Sequence, residues 1–133
     1  MAGRSSFGFL NRFGRSADLK AFDDGLRQSD VHPAQVVEGV KLAAVRLVRK
    51  HEDEPVSDEA HRDAAFLIGF CVQGRNPIAH LRGDGEADAL AQRVVAALEH
   101  PASMDAELIL LALHAGLVAP AVADEYGLAI EER

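Results

Sequence analysis

From Ala64 to Val72 the chain runs Ala-Ala-Phe-Leu-Ile-Gly-Phe-Cys-Val, with no charge and no polar side chain. The run falls well short of the roughly 20 apolar residues that a membrane-spanning helix needs. Its periodicity alone does not separate a buried strand from a buried helix, so the flanks decide. Ser57 followed by Asp58 and Glu59 reads as an N-cap with carboxylates set against the helix dipole. Gly74 suits a helix C-terminus, and Pro77 opposes continuation. The interval 58–73 between these signals has the length of a helix. Within it Ala60, Ala64, Leu67, Ile68 and Cys71 share one stripe, while Phe66 and Phe70 lie off it, towards Glu59 and Asp63. The second half is therefore apolar nearly all round, the pattern of a helix enclosed by others. Gly69 gives up about 1 kcal/mol of helix propensity relative to alanine, which predicts close approach of a neighbouring backbone.

The rest of the pattern is helical too. Leu19, Phe22 and Leu26 stripe a first helix over 16–29, with Asp18, Lys20, Asp23, Asp24 and Arg27 outside. Pro33 suits the first turn of a second helix that runs to His51. Its apolar face is Val36, Val37, Val40, Ala43, Ala44, Leu47 and Val48. A later helix opens at Asp84 or Gly85 and ends near His100, before Pro101. Leu90, Ala91, Val94, Val95, Ala97 and Leu98 form its expected inward face. Ser103 caps a helix over 104–115 that is again apolar on most sides, and is expected beside 64–72. Pro120 starts a short helix that Gly127 closes. Residues 74–85, with Gly74, Pro77, Gly83 and Gly85, read as a polar connector. No stretch alternates like a strand, and no repeat of fixed period appears. The pattern predicts an all-α compact bundle of five main helices plus a short C-terminal helix, centred on helices 58–73 and 104–115. Residues 18–133 read as a single helical domain.

Residues 1–17 differ. Arg4, Arg12 and Arg15 stand there without an acid, interleaved with Phe7, Phe9, Leu10 and Phe13. This reads as a basic, phenylalanine-bearing arm that lies on its own domain, with a membrane surface or a partner's groove as the other possible contact. One such arm does not make a stable anchor.

Charge narrows the field. A net charge of −7 and a pI near 5.3 oppose general nucleic-acid binding, whose footprint is basic. The single cysteine, Cys71, lies in the apolar run, so no intrachain disulfide is possible and the thiol reads as a small hydrophobe. No apolar segment follows the N-terminus as a secretory signal would require, and no stretch spans a membrane, so the expected location is the cytoplasm.

Three places carry candidate chemistry. The segment from His51 to Asp63 is strongly acidic and is bracketed by His51 and His61. Its candidate metal ligands are His51, Glu54, His61 and Asp63, although their spacing matches neither a zinc helix nor a calcium loop. Arg75, His80 and Arg82 are the candidate anion contacts of the connector. On the second helix Leu42 and Val45 fall on the basic side with Arg46 and Arg49, and these four are the candidate partner contacts. No nucleophile sits on a recognisable catalytic elbow. No cofactor is implied. The reading expected from these features is a small, acidic, non-enzymatic interaction module that binds another protein or itself as a homodimer. The alternatives are a metal-binding enzyme or sensor built on His51–Asp63, and a small-molecule or anion-binding helical domain.

Overall fold

The computed structural model describes residues 17–129. The expected arm of residues 1–17 lies outside them, except for Ala17, which is already helical. The described chain is all-α. Helix α1 covers 17–28, a 3-10 turn follows at Pro33–Gln35, and α2 is Glu38–His51. Then come α3 (Asp58–Gln73), α4 (Arg75–Arg82), α5 (Asp84–Glu99), α6 (Met104–His114) and α7 (Pro120–Tyr126). No strand occurs among the described residues.

Helix α3 is the hub, and its sequence explains why. Ser57 Oγ accepts from the Ala60 amide at 3.1 Å, and Asp58 and Glu59 occupy the first turn. Beyond Asp63, Ala64, Ala65, Leu67, Ile68, Gly69, Phe70 and Cys71 are all buried. An all-round apolar helix needs neighbours on every side. They are α2, α4, α5 and α6, with α1 crossing as well. One cluster of buried apolar side chains draws on every helix, from Phe22 and Leu26 of α1 to Val122 of α7.

The α1–α3 crossing depends on two glycines. A Cβ on Gly25 would lie 2.6 Å from the Arg62 carbonyl oxygen, and one on Gly69 would meet Ser29 Cβ and come within 2.6 Å of its Oγ. The close approach expected at Gly69 is thus real, but the neighbour is a side chain rather than backbone. Ser29 is fully buried, and its hydroxyl donates to the Gly25 carbonyl at 3.1 Å. Gln73 of α3 donates to the carbonyls of Ser29 (3.2 Å) and Asp30 (2.7 Å), which satisfies the end of α1. Gly69→Ala gains about 1 kcal/mol of helix propensity. It loses about 1–3 kcal/mol to overpacking. The net expectation is a lower urea midpoint with unchanged slope. Ser29→Ala does not relieve the contact, because the nearest atom is Ser29 Cβ.

Two elements differ from the sequence reading. The supposed connector 74–85 holds a helix, α4. Pro77 is tolerated because it sits in the first turn, where a missing N–H leaves no helical bond unmade. Gly74 (φ 89°) and Gly83 (φ 99°) supply the sharp bends before and after. The second helix starts late: Val36 and Val37 are extended, and only the Pro33–Gln35 turn precedes them. Val36 points into the core, whereas Val37 is 68 % exposed.

Candidate functional site

Helix α5 buries Ala87, Leu90, Val94 and Ala97. Val95 and Leu98 follow Val94 and Ala97 by one residue each, about 100° further round the helix. They were expected inside, but they remain 46 % and 51 % exposed. Helix α6 buries Leu108, Ile109 and Ala112, and turns Leu110 outwards at 48 % exposure. Between the two helices runs an open cavity of about 250 Å³. Its wall is Ala97, Leu98 and Pro101 on one side and Ala106, Ile109, Leu110 and Leu113 on the other. Gly127, Leu128 and Ala129 close one end. Among the described residues no charged side chain lines it.

The two walls are clamped together. Arg93 of α5 donates to both carboxylate oxygens of Asp105 on α6, each at 2.9 Å, and reaches Asp63 of α3 at 3.8 Å. Lys50 and His51, at the end of α2, meet Glu107 of α6; His51 Nε2 lies 2.7 Å from Glu107 Oε1. These contacts, from His51 first and Lys50 next, hold the Glu107 carboxyl below its usual range. From Val94 to Ala129 the chain contains no lysine or arginine, while Glu99, Asp105, Glu107, Asp124 and Glu125 are acids. Asp105 and Glu107 are neutralised by these contacts and Glu125 lines a separate hollow beside Arg75, so Glu99 and Asp124 are the acids of these segments that carry free negative charge.

The residues singled out from sequence are placed apart from this groove. On α2, Val45 is buried at 7 % exposure and Leu42 is half-buried, so they do not form an exposed apolar pair. Arg46 is exposed, whereas Arg49 is tied to Asp18 of α1 through Nε at 3.1 Å and Nη2 at 2.6 Å. The four metal candidates face four different partners. His51 meets Glu107, Glu54 lies 3.9 Å from Arg49, His61 faces Asp18 and Asp63 faces Arg93. Among the described residues no group of three or more His, Cys, Asp or Glu could hold a metal ion. On α4, Arg75 pairs with Asp88 at 2.7 Å and Arg82 with Glu86 at 3.3 Å. The Arg82 guanidinium also lies 4.0 Å above the Phe66 ring, and His80 is exposed. These three do not converge on a common point.

A larger cavity, about 590 Å³, opens between α1 and α3. Lys20, Arg27 and Arg62 line it against Asp24 and Asp58, so its charges answer one another. Burial pushes the Cys71 thiol up to about 12, which leaves it protonated and unreactive at neutral pH. Among the described residues no helix is long and apolar enough to cross a membrane. No protein-family model, no curated protein and no solved structure matches the chain.

Proposed function

We propose that this chain is a non-enzymatic helical interaction module that seats a basic, leucine-bearing helix of a partner protein in the groove between α5 and α6. One observation carries the reading: Leu98 and Leu110, each about half exposed, flank an apolar groove with no charged lining. The groove is smaller than the 300–1,000 Å³ typical of small-molecule sites, and suits side chains rather than a ligand. An amphipathic helix laid into an apolar groove is a recurrent mode of recognition. The partner's charge is drawn from the chain's net charge of −7, which favours lysine and arginine flanking its apolar stripe. A second copy of this chain is the weaker candidate, because −7 on each copy opposes pairing.

A synthetic helix with leucines in heptad spacing and lysines elsewhere tests the proposal. Burying one leucine is worth about 1.5–3 kcal/mol. Leu110→Asp is therefore expected to weaken binding of this peptide roughly 10- to 100-fold. The added carboxylate would strengthen a purely electrostatic attraction. Equal or tighter binding by Leu110→Asp would thus contradict the proposal. Unchanged circular dichroism is expected for the variant, since the position is at the surface.

A further inference from the structure

We infer that the buried His61 makes the seating of α1 on α3 proton-sensitive, so that mild acidification loosens α1. The chain has six histidines. His32, His51, His80, His100 and His114 are exposed, whereas His61 is fully buried. Its Nε2 lies 3.4 Å from Asp18 Oδ1, yet neither ring nitrogen makes a hydrogen bond to any of the described residues. The other oxygen of Asp18 is already held by Arg49 of α2. An imidazole with no hydrogen bond among the described residues thus sits where α1, α2 and α3 meet, at a cost that an apolar side chain would avoid. The charged groups around it are Asp18 from α1, Arg49 from α2 and Asp58 from its own helix. Glu54, between α2 and α3, reaches Arg49 at 3.9 Å.

Protonation would place a cation at this dry junction. Asp18 favours it, but Arg49 shares that carboxylate and opposes a second positive charge. Burial dominates, and lowers the His61 pKa from its ordinary value near 6.5. The sign follows by linkage. When α1 lifts away, His61 is hydrated and binds a proton at its ordinary pKa, so the opened form holds more protons below about pH 6.5. Packing of α1 is therefore strongest above that pH and weakens as pH falls through and below it.

Hydrogen exchange on the full chain, corrected for intrinsic rates, reads this directly. Each pKa unit between the two forms is worth about tenfold in the opening equilibrium. In the wild type, protection of α1 amides relative to α5 and α6 should fall between about pH 7.5 and pH 5.5, by up to about tenfold. His61→Leu should abolish this fall. If His61→Leu does not fold, His61→Gln, uncharged at both pH values, is read the same way. The inference is overturned if α1 protection keeps pace with α5 and α6 in the wild type, or falls equally in the variant.

Discussion

Phe70→Ala is expected to be among the most damaging single truncations in this protein, lowering unfolding free energy by about 3–5 kcal/mol. Phe70 is fully buried on the hub helix, with its ring centroid 6.3 Å from that of Tyr126 in a tilted arrangement. Truncation removes apolar area and leaves a cavity that neighbours on several helices cannot all collapse into. Domains of this size hold only about 5–15 kcal/mol in total, so the loss is a large fraction. Urea unfolding gives the number, and an unchanged slope would show that the same surface is exposed on unfolding. Phe66→Ala is the internal comparison. Phe66 is half-buried and capped by the Arg82 guanidinium, so its loss should cost less. Equal costs would mean that the Phe70 side of α3 is packed no more tightly than the Phe66 side.

Arg93→Ala should also be severe, at about 2–3 kcal/mol. The Arg93 and Asp105 side chains are 25 % and 23 % exposed. Removing the guanidinium leaves Asp105 largely desolvated with both oxygens unpaired. Breaking a fully buried pair costs about 3–5 kcal/mol, and partial exposure reduces that figure. Combining Arg93→Met with Asp105→Leu should recover most of the loss, because no unpaired charge remains. The same clamp spans the two walls of the groove. Arg93→Ala should therefore weaken peptide binding too, although Arg93 does not line the cavity.

Much of this fold was legible in the sequence, and the physical reasons are specific. Ser57 and Ser103 marked helix starts, and both hydroxyls accept the expected amides, from Ala60 at 3.1 Å and Ala106 at 3.2 Å. Pro120 and Gly127 bounded α7 as read. Helix α4 is hidden in the sequence because the glycines and proline of 74–85 are equally the signature of a loop. Gly74 and Gly83 are helix boundaries there, and Pro77 lies inside a first turn. The late start of α2 hinges on Val36 and Val37, which fit an apolar helix face equally well on paper.

The groove was harder to see. Periodicity shows which side of a helix is apolar but not how much of that side a neighbour covers. For α5 the stripe was broad enough to include Val95 and Leu98, yet α6 and α3 cover only part of it. In α6 almost every position is apolar, so the pattern does not show which apolar side chain faces out, and the outward one is Leu110. His61 is different, because its burial was readable. It falls three, four and seven residues before Ala64, Ala65 and Ile68, all of them in the core. Its place beside an acidic stretch directed attention to metal chemistry instead, and the pairing with Asp18 is a tertiary contact across 43 residues of chain.

Amide chemical-shift mapping of the full chain, titrated with the heptad leucine–lysine helix, distinguishes seating in the groove from diffuse attraction to the acidic surface. Seating in the α5–α6 groove places the largest shifts at Leu98, Ile109, Leu110, Leu113 and Leu128, with α1 and α2 nearly silent. Shifts spread evenly over the acidic surface, or centred on α1 and α2, would contradict it.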